Sequence, residues 1–267
     1  MSEYLLGHEP TIRLVVSAAV FALIVLGEVM FPRRPQQIGR VWRWPNNLGI
    51  VLLDTALVRI LFPTALVAVA LAAQAGGWGI LNAFALPGWL AAPLAILALD
   101  VAIYFQHRGF HAVPVLWRLH RMHHADLEFD VTTGLRFHPL EILLSLAIKC
   151  AIVVLIGAPA VAVVIFEIAL NAASLFNHAN LRLSAGLDGW LRHVLVTPDM
   201  HRVHHSIVRS ETDSNFGFTV SWWDRLFRTY RAQPAAGQDA MTIGIPKFRE
   251  PSELRLDRML LQPFRRE

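Results

Sequence analysis

Residues 140–176 read LEILLSLAIKCAIVVLIGAPAVAVVIFEIALNAASLF, and only Glu141, Lys149 and Glu167 in that run carry charge. About 20 largely apolar residues cross a hydrocarbon core ~30 Å thick as a helix. The run therefore holds two short passes, divided at Gly157-Ala158-Pro159, where glycine and proline signal a turn. Lys149 and Glu167 stand nine residues to either side of Ala158. A tight antiparallel hairpin sets them level. Charges inside a bilayer require partners, so a buried ion pair is expected.

A second apolar stretch lies upstream. No charged residue occurs between Ile60 and Leu99, and Gly76-Gly77 and Pro87-Gly88 mark turns within it. The pattern predicts one helix from about Leu48 to Ala73 and another from about Gly88 to Phe105. Asp54 and Arg59 on the first are expected to pair loosely with each other or with neighbours. Ahead of this hairpin, Leu14 to Gly27, continuing past Glu28 to Phe31, predicts one more spanning helix. The opening MSEYLLGHEP has no base before Arg13, so it lacks the positive region of a secretory signal. The expected fold is all-α and membrane-embedded: two transmembrane hairpins plus an extra N-terminal helix.

Composition agrees. Hydrophobic residues make up 55% of the 267 and charged residues 16%, and mean hydropathy is +0.45. A disordered chain is excluded and a soluble domain disfavoured. The lone Cys150 excludes an intramolecular disulfide and a cysteine-held zinc or iron–sulfur site. A net charge of +4 does not favour a nucleic-acid binder. Arg33, Arg34, Arg40 and Arg43 follow the first span, and Arg108, Arg118, Arg121 and Arg136 follow the third. Thirteen further Lys and Arg lie after residue 180, and the loop from Gln74 to Leu86 has none. Because basic loops stay in the cytoplasm, the N-terminus is expected outside, and the histidines and the last ~90 residues inside.

Most of the twelve histidines fall between residues 107 and 205. His107-Arg-Gly-Phe-His111 is an HxxxH; His120-Arg-Met-His123-His124 and His201-Arg-Val-His204-His205 are each an HxxHH. On a helix, positions three and four apart share a face, which suits imidazoles gripping a metal. His178 lies in Phe176-Asn-His-Ala-Asn180 and His138 in Arg136-Phe-His-Pro-Leu-Glu141. Nine imidazoles (the clustered eight and His178) exceed what one ion takes and suit two ions with four or five ligands each. All-nitrogen ligation fits iron, zinc, manganese or copper. His8 and His193 read as packing or surface residues. His138, ahead of Pro139, reads first as a helix cap, with metal ligation or support of the site as the alternatives.

These motifs resemble the histidine boxes of the fatty acid hydroxylase / sterol desaturase superfamily. Pro198-Asp-Met-His201, Phe137-His-Pro-Leu-Glu141, Asn177-His-Ala-Asn180, Asn215-Phe-Gly217 and Trp223-Asp-Arg-Leu-Phe227 resemble its bacterial sterol-desaturase-like branch. The resemblance covers residues 95 to 231. It implies two helical hairpins with a cytosolic histidine-rich helical cap holding a dinuclear metal site, and three parts: N-terminal membrane helices over 1–90, a di-metal domain over 91–231 and a cytosolic tail with an amphipathic helix over 232–267. It implies a non-haem di-iron oxygenase of the bacterial inner membrane that uses O2 to hydroxylate or desaturate a C–H bond of a lipid or sterol-like substrate. The resemblance also implies that zinc replaces the two irons in some preparations. The implied ligands are His107, His111, His120, His123, His124, His178, His201, His204 and His205. Two positions depart from the pattern. A single His178 with Asn180 replaces the paired histidines of acyl-chain 2-hydroxylases, which argues against that substrate. Arg228 stands where many relatives have glycine.

Metal-bound imidazoles need partners that hold their orientation. Asp100, Tyr104, His107 and His111 share one helical stripe, so Asp100 is expected either to orient His107 or to bond a neighbouring helix. Asn180, Asp199, Asn215 and Asp224, with Asp126 and Asn177, lie near the boxes and read as ligand supports or helix caps. Trp89, Trp117, Trp190, Trp222 and Trp223 read as interface anchors, one or two of them walling a substrate tunnel. Ser252 to Leu261 reads as an amphipathic helix capped by Ser252, lying on the membrane or over the cytosolic part. With no ferredoxin-type cysteines and no dinucleotide fingerprint, a separate ferredoxin, cytochrome or reductase must dock on the basic face. Ether-lipid cleavage of the alkylglycerol monooxygenase type is an alternative reaction. A histidine-rich metal transporter or sensor is an alternative class, disfavoured because transporters place ligands near the midplane. A zinc hydrolase would need an HExxH, which is absent.

Overall fold

The computed structural model describes residues 2–62 and 66–266, and helix follows helix along them with no strand. The elements used below are α1 (Glu9–Met30), α2 (Arg40–Leu61), α3 (Leu66–Ala75), α4 (Gly88–Ala112), α5 (Pro114–His124), α6 (Pro139–Ile156), α7 (Ala160–Asn177), α8 (Pro198–His204) and α9 (Leu256–Leu261). Among the described residues, five stretches are long and apolar enough to cross a membrane: α1, the segment Arg40–Ala83 containing α2 and α3, α4, α6 and α7.

Two expectations change. The helix read from Leu48 to Ala73 starts earlier, at Arg40, and stops at Leu61. Phe62 leaves helical geometry at φ −132° and ψ 71°, because the residue before a proline, here Pro63, is pushed out of the α region. The next part of that reading, residues 63–65, lies outside the described residues, and helix is present again from Leu66. Asp54 and Arg59 do not pair. Residues five apart lie about 140° apart around a helix, and Asp54 Oδ1 is buried without a hydrogen-bond partner.

The pair across the second hairpin does form. Lys149 Nζ lies 3.2 Å from Glu167 Oε1, and Arg13 of α1 joins Glu167 Oε2 at 2.7 Å. This ties the start of α1 to the hairpin. Glu28 near the end of α1 ties the other end. Its carboxylate accepts from the backbone N–H groups of Val131 and Asn180, both at 2.8 Å, and from Arg40 at 3.1 Å.

The hairpin tips meet at one end of the bundle. Gly157 takes φ +71° as the C-cap of α6, a left-handed conformation that favours glycine. Gly79 packs directly on it. A Cβ on Gly79 would sit 2.1 Å from the Gly157 nitrogen. Between the tips and the histidines, Leu66, Ala70, Leu99, Val153, Val163 and Phe166 form the main apolar core. α4 has 25 residues and spans about 37 Å at 1.5 Å per residue. It is long enough to cross a ~30 Å hydrocarbon core, with His107 and His111 on its last turns.

The tail is not a single helix from Ser252. A 3-10 turn spans Pro251–Leu254, Arg255 is extended at ψ 143°, and α9 follows. Leu254 and Met259 are five apart and both fully buried; a straight helix would point them to different sides. Met259 packs on Ile50 of α2 and Met122 of α5, so the tail covers those helices.

Candidate metal centre

α4 brings His107 and His111 on its last turns, and α5 brings His120, His123 and His124. Val113 ends one helix and caps the next at φ −100° and ψ 118°, the extended geometry imposed by Pro114. The chain therefore folds back and lays the HxxHH over the HxxxH. His178 is the C-cap of α7. Pro198 opens α8 behind the Thr197 cap, and α8 carries His201 and His204 with His205 as its C-cap.

All nine sequence-predicted histidines come together, buried, in two sets. His107, His111, His120, His124 and His204 form one; His123, His178, His201 and His205 form the other, with ligand atoms within 4.8 Å of one another in each. The two HxxHH motifs divide in the same way. The first and last histidines of each stay together, and the middle one crosses to the other set. The sets abut, since the rings of His123 and His124 are 5.2 Å apart and those of His124 and His205 are 4.4 Å apart. His8 and His193 are elsewhere. His8 stacks on Tyr4, and the His193 carbonyl accepts from Trp222.

The hydrogen bonds show what the sets are built for. His107 Nδ1 donates to the Phe216 carbonyl at 2.8 Å and His204 Nδ1 to the Ser214 carbonyl at 2.7 Å. His120 Nδ1 donates to Glu141 Oε1 at 2.6 Å. Carbonyl and carboxylate oxygens only accept, so each neutral ring carries its proton on Nδ1 and a lone pair on Nε2. Those Nε2 atoms nonetheless face one another: His107 lies 3.1 Å from His120 and 3.0 Å from His204. Three lone pairs converge with no proton between them, an arrangement a bound cation relieves. The second set repeats it. His178 Nδ1 donates to Ser174 O at 2.7 Å, His123 Nδ1 to Arg136 O at 3.2 Å, and the two Nε2 atoms are 3.1 Å apart. His111 Nε2 and both ring nitrogens of His124 and His205 are buried with no hydrogen-bond partner among the described residues. Burial, with neighbouring imidazoles adding to it, holds His123, His124, His201 and His205 well below the usual range. Burial pushes His178 down to about 3. These rings are neutral at pH 7 and offer lone pairs. The donor set fits two first-row metal ions.

The predicted supporting residues fare differently. Asp100 does not orient His107; its Oδ2 accepts from Trp223 Nε1 at 2.7 Å, and Phe216 O takes the His107 proton. The side chain two turns down the stripe is too short to reach the ring. His138 is outside both sets and caps α6, accepting from Leu140 N and contacting Leu260 O. Asn180 ties the 33–34 segment, exchanging bonds with Arg34. Asp199 binds Arg33 and Arg202. Neither touches a ligand ring. Asn215 and Asp224 act through the backbone. Asn215 bridges the Met200 and Arg231 carbonyls. Asp224 accepts from Phe216 N at 2.7 Å and Gly217 N at 2.9 Å, holding the strand of chain whose carbonyl fixes His107. Burial raises the Asp224 carboxyl above its ordinary value, opposed by those bonds. Arg228 takes φ +60°, where glycine would cost nothing.

Two supports escaped the sequence reading. Glu141 sits in the first turn of α6, a position where an acid reads as a cap, and binds His120. Asp213 lies 3.3 Å from His111 Nδ1 and carries no local signal. Among the tryptophans, Trp117 lies against the site, 4.9 Å from the His111 ring and 5.4 Å from His124. Trp89 and Trp190 are exposed.

The fatty acid hydroxylase family model matches residues 92–229. An ornithine lipid hydroxylase of Rhizobium tropici is 30% identical over 141 residues, 53% of this chain and 42% of that protein. The alkylglycerol monooxygenases of Homo sapiens and Xenopus tropicalis are 28% identical over 144 residues and 30% over 169. Those alignments take in 52% and 63% of this chain and 30% and 36% of the relatives. The matched region thus spans less than half the length of these curated relatives. No solved structure matches the chain.

Proposed function

Since the chain belongs to the fatty acid hydroxylase family, we propose that it is a membrane oxygenase in which two iron ions, one in each histidine set, serve the insertion of oxygen from O2 into a C–H bond of a lipid. The observation that carries this reading is the convergence of Nε2 lone pairs in both sets, with the rings of His107, His120, His204, His123 and His178 locked by their Nδ1 protons. Iron bound there supplies the O2 redox chemistry that an unactivated C–H bond requires. The protein's own part is geometric. Carbonyls of Phe216, Ser214, Ser174 and Arg136 and the Glu141 carboxylate fix the ring tautomers. Phe218 lies 4.9 Å from His107 in one set and 5.8 Å from His201 in the other, and keeps water from that side.

Hydroxylation is favoured over desaturation because the relatives named above are a hydroxylase and monooxygenases. Ether-lipid cleavage is the second reading, on the strength of the alkylglycerol monooxygenases. One oxygen atom enters the lipid, and the other leaves as water with two electrons and two protons. A separate ferredoxin, cytochrome or reductase delivers the electrons. Basic loops support an outside N-terminus and a histidine site on the cytoplasmic side of a bacterial inner membrane.

Purified protein should hold two iron per chain. Lipid extracts from cells making it should contain a lipid that has gained one oxygen atom, dependent on O2 and absent with His204→Ala. Iron-free protein after iron-replete expression, or an unchanged lipid profile, overturns the reading.

A further inference from the structure

α1 and α7 do not close completely against each other. Between Val20 and Ile24 of α1 and Ala169, Ala172 and Ala173 of α7 lies a cavity of about 440 Å³. Ile24 is buried, whereas Leu23 at the outer lip is 68% exposed, so one side opens where lipid surrounds the bundle. The inner end is formed by Val196 and Thr219, whose backbones pair through Val196 N and Thr219 O at 3.0 Å.

That inner end adjoins the metal centre through the chain itself. Thr219 follows Phe218, whose ring touches His107 of one set and lies within 6.5 Å of His178 and His201 of the other. Val196 leads into the Thr197 cap and Pro198 of α8, which carries His201. Gly217 keeps this crossing tight. A Cβ there would meet Asp224 Oδ2 at 2.8 Å and Val196 Cγ2 at 3.1 Å. The groove therefore runs inward from the lipid face to Val196 and Thr219, one residue along the chain from Phe218 beside the two sets.

We propose that this groove binds one hydrocarbon chain of a bilayer lipid, entering sideways between α1 and α7, and delivers it past Thr219 and Phe218 to the metal centre. The inference rests on the reading that the protein acts on lipids. The lining offers water too few polar partners to hold it, and an empty slot forfeits dispersion contacts along both walls. Both walls are spanning helices, so the occupant is already present at high concentration as the solvent of the fold. The α1 wall lies outside the segment that the family model matches, so it is where this chain sets its own preference for chain length.

The test is saturable photolabelling of the iron-loaded protein in phosphatidylglycerol/phosphatidylcholine nanodiscs doped with a phospholipid bearing a diazirine in its palmitoyl chain. Lipid around the bundle labels without saturating; a groove labels with a ceiling near one chain per protein, competed by unlabelled phospholipid. The saturable label is expected on peptides containing residues 20–24 and 169–176. Ala172→Trp and, separately, Ala169→Trp fill the slot and should weaken the saturable component by about tenfold or more. Leu52→Trp, on the exposed outer face of α2, should leave it unchanged. Absence of a saturable component in the natural chain, or its mapping elsewhere, overturns the proposal without reference to any variant. So does its survival in both folded tryptophan variants. Labelling needs no turnover: a saturable label with no oxygenated product retains the groove and discards the oxygenase reading.

Discussion

Replacing Glu141 with leucine removes the acceptor that holds the His120 proton on Nδ1 at 2.6 Å. The carboxylate is 4% exposed, so the orphaned N–H has no ready substitute, at a cost of about 1–3 kcal/mol. The ring has an alternative. With its proton moved to Nε2 it can donate to His107 Nε2, 3.1 Å away. That rearrangement takes one lone pair out of the five-histidine set. Loss of such an outer partner typically lowers metal affinity 10- to 100-fold, about 1.4–2.7 kcal/mol. Glu141→Gln keeps an accepting oxygen and should lose much less. Asp213→Ala is the internal comparison. Its bond to His111 is longer, at 3.3 Å, and its carboxylate is 37% exposed, so water replaces it and the effect should stay within about fivefold. Iron retained against a graded chelator series, measured by elemental analysis, orders the three variants. Folded Glu141→Leu with natural chelator resistance, or Asp213→Ala costing more than Glu141→Leu, would refute the tautomer argument.

His124→Ala should strip metal from a folded protein, whereas His138→Ala should keep both ions and lose only about 1 kcal/mol of cap stability; elemental analysis beside thermal unfolding separates them. Gly79→Ala should prevent assembly of the hairpin tips, because its Cβ would meet Gly157 N at 2.1 Å. Gly77→Ala, at φ +66° with nothing within 4 Å, should cost only about 1–2 kcal/mol, and detergent-resistant folded yield reports the contrast. Arg43 binds Asp126 and Asp130 at 2.7 and 2.6 Å, all three buried, so Arg43→Met should destabilise by about 3–5 kcal/mol. Burial alone would raise the Asp130 carboxyl, but Arg43 outweighs it and holds the group below its ordinary 3.8. Its contribution is whole above pH 3.8 and is lost as pH falls below that value. An acid titration of Arg43→Met should therefore show a shallower loss there than the natural chain.

Several features were legible before any coordinates because their causes are local. An apolar run of ~20 residues has to span or be buried. Gly157 ahead of Pro159 ends a helix, and histidines at i, i+3 and i+4 share a face. Those rules predicted the apolar helices, the nine converging rings and the Lys149–Glu167 pair. The break after Leu61 was legible in Pro63 as well, but the apolar pattern running through it outweighed that signal.

The sequence by itself determined which histidines gather and that their number suits two ions. Tertiary structure alone decided how five and four are shared, since His204 joins His107 across 97 residues of intervening chain. It alone assigned the tautomers, because most of the groups that set them are backbone carbonyls, which every residue carries and no residue type announces. It alone gave Asp100 to Trp223 instead of His107. The physical reason is one of range: periodicity is imposed by the backbone within a turn or two, whereas a ring's partner depends on which distant segment the packed core holds against it.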